Sequence, residues 1–192
     1  MLKVTTTRKL KVLDFDIENR PLSYWIPDRP TAEVTAIAWS DALVQSAQVE
    51  YALLTHDDQS SMDMLLAFRE AYDAADVVTG HYIRRHDLPI LNGAYVEHGL
   101  LPLGPKLASD TKLDLIRWKD IPQSQEFLSE LYGLSRPKHS MTQGAWREAN
   151  RLSPSGLAQT TKRVVDDVKQ HKQLRAHLIE QEVLSAPTLW EP

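Results

Sequence analysis

The run Lys11-Val12-Leu13-Asp14-Phe15-Asp16-Ile17-Glu18-Asn19-Arg20-Pro21 constrains the fold more than any other segment of the chain. As a strand it puts Leu10, Val12, Asp14, Asp16 and Glu18 on one face and Leu13, Phe15 and Ile17 on the other. Both faces begin apolar, the pattern of a strand covered on both sides and therefore central in its sheet. Successive acids along one such face repel one another unless a cation or protons neutralise them. The bland alternative is a strand end fraying into water, where carboxylates are common. The motif therefore gains weight only if other acids converge on it.

Residues 33–39 and 48–54 read as further strands, apolar and β-branched between segments rich in Pro, Asp and Ser, with Pro21, Pro27 and Pro30 marking the first connection. Met62, Leu65, Leu66, Phe68, Ala71 and Tyr72 recur at helical spacing, and Asp76–Gly80 then reads as a short buried strand. A helix followed by a strand implies a crossover to a parallel neighbour. Asp87-Leu88-Pro89 reads as a helix start with Asp87 as cap, ending near Gly99, and residues 101–108 read as a Pro/Gly loop. Helices are expected at about 123–132 and about 156–184, joined through Ser135-Arg136-Pro137-Lys138-His139-Ser140, expected to be a mobile loop. Strands first, then alternating helices and strand, give an α/β domain with a mixed sheet. A length of 192 residues suits one core, so residues 1–192 are expected to form a single domain.

The chain has no cysteine, which excludes a disulfide framework, a thiolate zinc site and a cysteine nucleophile. Oxygen and imidazole groups are left as metal ligands, an inventory suited to hard cations such as magnesium. No apolar run has the length of a signal sequence or a membrane span, so a soluble, cytoplasmic protein without a membrane partner is expected. The formal net charge of −4 argues against tight nonspecific duplex binding. It is a weak argument against nucleic acid altogether, because divalent ions held by carboxylates reverse the local sign.

Two further acids qualify. Asp87 follows a loop that leaves a buried strand, and active sites of α/β sheets gather at such carboxyl ends; helix capping is its plain alternative. In Arg163-Val164-Val165-Asp166-Asp167-Val168 helical geometry separates the neighbours. Asp167 shares a face with His171, Leu174 and Leu178 and points with the apolar stripe, whereas Asp166 shares a face with Gln170, Gln173 and His177, read as solvated. An inward aspartate needs a partner, which favours Asp167 as the ligand.

Together these segments resemble the DnaQ-like (DEDD) exonucleases of phage and bacterial type. The first motif of that family is similar to LDIET, here FDIEN at Phe15–Asn19. Motif two is similar to GHN followed by R-F-D-x-P-x-L, here Gly80-His81-Tyr82 and Arg85-His86-Asp87-Leu88-Pro89-Ile90-Leu91. Motif three is similar to Y-x-x-D-D-V, here Arg163 to Val168, and VTAIAWS, EHGLLPL, SDTKLDL and SELYGL fall between in the expected order, so the resemblance covers about residues 10–180. It implies a three-layer ribonuclease-H-like α/β fold with a mixed five-stranded sheet flanked by helices. Departures are Arg163 where one subfamily has a water-orienting tyrosine, Lys162 where the other has a histidine base, His86 for an aromatic residue, Tyr82 for asparagine, and Asp14 where the family tends to be apolar.

The resemblance further implies a 3′→5′ exonuclease that holds two divalent cations, Mg2+ or Mn2+, with Asp16, Glu18, Asp87 and Asp167, and releases nucleoside 5′-monophosphates from single-stranded nucleic acid, DNA favoured, in replication, proofreading or repair. Asp16 would bridge the ions, Glu18 and Asp167 would complete the nucleophile side, and Asp87 would hold the other ion through water. The base candidates are His139, His171 and a metal-bound water with no side-chain base. Arg84, Arg85, Tyr82, Lys138 and Arg163 are candidates for substrate binding, with Lys162, Trp118 and Trp146 nearby in sequence to the same segments or suited to stacking. The expected partner is a single-stranded DNA or RNA 3′ end, with a separate polymerase or replication protein beside it. The competing readings are a nucleic-acid-binding replication accessory module that kept the fold and lost turnover, an endonuclease of the wider ribonuclease-H-like group, and an unrelated α/β protein with coincidental acids.

Overall fold

The computed structural model describes residues 9–21, 32–134 and 141–192. Six strands form one mixed sheet: β1 Val12–Pro21, β2 Ala32–Asp41, β3 Glu50–Leu53, β4 Val77–Gly80, β5 Lys106–Asp110 and β6 Thr188–Trp190, in the spatial order β3-β2-β1-β4-β5-β6. β2 lies antiparallel to β1 and β3 to β2, β4 and β5 run parallel to β1, and β6 closes the far edge antiparallel to β5. The acidic run is thus a central strand, as its two covered faces require.

Helices cover both faces. On one side α1 (Ser60–Ala74) and α2 (Asp87–Glu97) bury Met64, Leu65, Phe68, Tyr72, Leu88, Leu91 and Tyr95 against Leu13, Phe15, Ile17, Ile37 and Trp39. Phe68 sits at its centre, its ring 5.0 Å from that of Phe15 and 5.9 Å from that of Trp39. On the other side lies α6 (Pro154–Glu180), a 27-residue helix started by Ser153, whose hydroxyl accepts from the Gly156 amide, with Pro154 at the first helical position. The short α3 (Thr111–Ile116), α4 (Gln125–Leu131) and α5 (Gln143–Asn150) stand around it, capped by Asp110, Ser124 and Thr142.

This is the ribonuclease-H-like three-layer arrangement, with six strands in place of the five expected. The extra strand, Thr-Leu-Trp, is too short to carry a periodic signal, and Trp190 anchors it in the core. Residues 101–108 are not all loop: after Pro102, Gly104 and Pro105 the chain enters β5 at Lys106. Helices α3 and α5 were not expected either; at six and eight residues they fall below the window in which helical periodicity shows. No helix among the described residues is long and apolar enough to cross a membrane.

The close approach of α5 to α6 depends on Gly156. A Cβ there would lie 2.1 Å from the Glu148 carbonyl oxygen, so the backbones touch where a side chain would stand. Substituting Gly156→Ala should lower the unfolding free energy by about 1–3 kcal/mol, the usual cost of overpacking, as read by urea denaturation; an unchanged midpoint would show that α5 is not held by this contact.

Candidate metal centre

On the covered face of β1, Asp14, Asp16 and Glu18 lie opposite Ser40, Ala38 and Ala36 of β2. Those small residues let α6 settle close to the sheet, where Val164 and Val168 pack with Ala36 and Ala38 and the Lys172 ammonium donates to Ser40 Oγ at 3.0 Å and to the Val44 carbonyl at 2.7 Å. Burial lowers the Lys172 pKa, with Asp14 and Asp41 opposing the shift. The helix turns a stripe of Arg163, Asp167 and His171 toward the acids, one residue per turn.

The result is three rungs. At one end Arg163 Nε donates to the Glu18 carboxylate. At the other, His171 Nδ1 is 2.8 Å from both carboxylate oxygens of Asp14, which is fully buried. Between them, acid stands against acid: carboxylate oxygens of Asp16, Glu18 and Asp167 lie within 4.8 Å of one another, Asp167 buried and Asp16 partly open to solvent. Such a group of hard oxygen donors fits a magnesium- or manganese-sized ion.

Arg163 closes one side of this group. Its Nη2 is 3.9 Å from Asp167 Oδ2 and its guanidinium carbon 5.1 Å from the centroid of the Trp146 ring on α5. Burial works against its charge, yet Glu18 and Asp167 outweigh burial and raise its pKa. Lys162 is spent elsewhere, its ammonium 2.7 Å from Asp166. Asp166 thus carries an ordinary surface pair, as expected, but its face is not solvated throughout: Gln170 is fully buried and accepts from Gln125 Nε2 at 3.1 Å, because α4 covers it.

Asp87 reaches the same strand from α2. It is the first residue of that helix but does not cap it; its Oδ1 instead accepts from the Ile17 amide at 3.3 Å, between Asp16 and Glu18 in sequence. It stands outside the group whose oxygens lie within 4.8 Å. The neighbouring His86 is exposed, its Nδ1 3.5 Å from Asp87 Oδ2, and that hydrogen bond raises its pKa above the ordinary 6.5 against the effect of burial.

The loop before α2 is organised by a residue that sequence reasoning missed. Buried Asp110 accepts from the amides of Tyr82 at 2.9 Å and Arg84 at 3.0 Å while capping α3 through Lys112 and Leu113. A strand ending in Ser-Asp-Thr carries the N-cap signature that would have pointed to it. Gly80 is obligatory, since a Cβ would lie 2.8 Å from the Phe15 carbonyl oxygen and closer still to Ile83. Tyr82 holds φ 76°, a left-handed conformation in which asparagine is at home and tyrosine is strained, with the Lys112 ammonium 4.1 Å from its ring centroid.

The other candidate residues fall in different places. Arg84 is tied to β6, its guanidinium bonding Thr188 Oγ1 and, at 2.9 Å, the Leu189 carbonyl. Arg85 is exposed beside His86, and Trp118 is exposed after α3. His139 and Lys138, with the loop expected to be mobile, lie outside the described residues. His171 is 2% exposed and both ring nitrogens are engaged, Nε2 standing 3.0 Å from Thr111 Oγ1, which in turn lies 2.9 Å from His81 Nδ1. That geometry lends no support to His171 as a base for water at the acidic cluster; it makes the residue an anchor. A cleft of about 530 Å3 lies at the other end of β1, lined by Lys11, Trp39, Asp41, Glu50 and Glu70 among others, and contains none of the clustered acids.

Fold and cluster together give a ribonuclease-H-like α/β arrangement with an oxygen-only acidic cluster, Asp16, Glu18 and Asp167, that could hold a cation between its central strand and α6. No family model and no curated protein matches the chain. Among solved structures, the family B DNA polymerase from the hyperthermophilic archaeon Pyrobaculum calidifontis superposes with a TM-score of 0.65 over 92% of this chain at 18% identity. The match covers 25% of the polymerase, so this chain spans about a quarter of its length, and at that identity the likeness is one of fold.

Removing His171 while leaving Asp14 should be costly, because a buried carboxylate loses its partner. His171→Leu should lower the unfolding free energy by roughly 3 kcal/mol, and the Asp14→Leu/His171→Leu double variant should recover a large part of it. Equal losses in single and double variants, measured by urea denaturation, would show that the rung is not coupled.

Proposed function

We propose that this protein is a metal-dependent 3′→5′ exonuclease that releases nucleoside 5′-monophosphates from a single-stranded 3′ end, DNA rather than RNA. The observation that carries the reading is the middle rung, where Asp16 and Asp167 oppose each other with Glu18 at their side. Carboxylates held this close favour a cation among them, and their fixed positions on a strand and a helix suit a site that must not reorganise during reaction. The choice of DNA rests on the likeness of fold to a DNA polymerase.

Asp16, Glu18 and Asp167 would hold the ions, two of magnesium or manganese, with Asp87 completing the set from α2. Bound there, the ions would ionise a water and stabilise the leaving 3′-oxygen. Asp87 meanwhile fixes the β1 backbone through the Ile17 amide, and the His171–Asp14 rung fixes the turn of α6 that carries Asp167. Arg85 and Lys138 would meet the phosphate backbone and Tyr82 would stack on a terminal base; Arg84, bonded to β6, is better suited to holding the loop, and Arg163, bonded to Glu18, to the acidic cluster itself. A place in replication, proofreading or repair beside a separate polymerase follows from this reading.

One observation favours a different reading, an accessory module that binds nucleic acid without cutting it: Arg163, which stays protonated, stands where a water-orienting group is expected and pairs with Glu18. Digestion separates the two. A 5′-labelled strand with a free 3′ end should give a ladder in magnesium or manganese and none in EDTA, a 3′-blocked strand should stay intact, and Asp16→Asn should slow the ladder at least about a hundredfold, since metal stabilisation of the reacting phosphate is worth several kcal/mol. Intact strands throughout, in either metal, would favour the accessory module; cutting of the blocked strand would mean an endonuclease.

A further inference from the structure

The three rungs between β1 and α6 are not equivalent. Glu18 is answered by a guanidinium and Asp14 by an imidazole, while Asp16 and Asp167 face each other. Arg163 is not a solvated side chain that happens to lie near: 14% of it is exposed, its Nε bonds Glu18, its Nη2 approaches Asp167, and Trp146 lies against the guanidinium from α5. Trp146 in turn rides on a helix pressed against α6 at Gly156. The positive charge is therefore built into the acidic cluster and touches two of its three members.

We propose that Arg163 sets the number of divalent ions this site takes: it is the resident cation on the Glu18 side, and an ion that uses Glu18 binds only in exchange for it. The inference rests on the metal-site reading above and goes beyond it. A fixed unit charge within about 4 Å of the shared carboxylates repels a divalent ion through a medium of low effective dielectric. It also withdraws a Glu18 oxygen from coordination. With Arg163 in place, an ion is held without that Glu18 oxygen, by the other two members of the cluster, Asp16 and Asp167. The other site opens when the guanidinium leaves Glu18, and the contact with Trp146 opposes that departure, because a cation over an aromatic face loses attraction on moving away.

The test is manganese binding, counted by calorimetric titration and by the free-ion paramagnetic resonance signal, on wild type, Arg163→Gln, Arg163→Lys and Trp146→Ala. Wild type should take up one ion well and a second weakly. Arg163→Gln should take up two, the second at least about tenfold more tightly than wild type, as loss of one repelling charge at contact range implies. Arg163→Lys, which keeps the charge but not the forked contact with Glu18 and Asp167, should fall between wild type and Arg163→Gln. Trp146→Ala should shift the second ion in the same direction as Arg163→Gln by a smaller factor, and it serves as the test should Arg163→Gln fail to fold by circular dichroism. Equal stoichiometry and affinity in wild type, Arg163→Gln and Trp146→Ala would overturn the proposal. No manganese bound by any variant would overturn it together with the metal site itself. Because the readout is ion uptake, a protein that takes up manganese in this pattern and yet digests nothing would leave this inference standing and remove only the exonuclease reading.

Discussion

Everything in this structure turns on how one helix answers three carboxylates. A strand advances about 6.6 Å in two residues and a helix about 6 Å in four, so a stripe of one residue per turn on α6 can keep step with alternate residues of β1 for three rungs. Glu18, Asp16 and Asp14 meet Arg163, Asp167 and His171 in that order. A neighbouring stripe keeps the same step with β2, where Val164 and Val168 meet alanines and Lys172 meets Ser40. Small residues on β2 are what bring the helix close enough for side chains to bridge it.

The rest of the molecule holds that match in place. The apolar face of β1, with Phe15 against Phe68, fixes the strand from behind. The chain of contacts from His171 through Thr111 to His81, continued by a His81 Nε2 contact of 2.8 Å to the Gln123 carbonyl, ties α6 to the loops after β4 and β5. Asp110 then shapes the loop that delivers Asp87 to the Ile17 amide. The cluster thus stands on regular elements, and its loops are braced by buried hydrogen bonds, the arrangement a site needs if its charges are to be preset.

Much of this is legible in the sequence because it follows from short-range geometry. Alternation in one strand puts the acids on one face, and helical spacing chooses Asp167 over Asp166. What is not legible depends on partners distant in sequence. Nothing local says that Arg163 reaches Glu18, 145 residues away, or that His171 reaches Asp14, 157 residues away. The stripe rule makes Gln170 solvated because it has no knowledge of α4, which covers that residue. A place before Leu-Pro suggests a cap for Asp87, whereas its carboxylate has a better use at the β1 backbone. β5 escapes because Lys-Leu-Ala-Ser-Asp holds no β-branched or aromatic residue, and β6 because three residues are too few for a pattern.

We propose that the opposed acids on β1 and α6 hold a divalent ion. Anomalous diffraction from crystals soaked in manganese tests it most directly. A manganese peak should appear bonded to carboxylate oxygens of Asp16 and Asp167, with the His171–Asp14 contact unchanged. Crystals that show manganese elsewhere and none between Asp16 and Asp167 would contradict it.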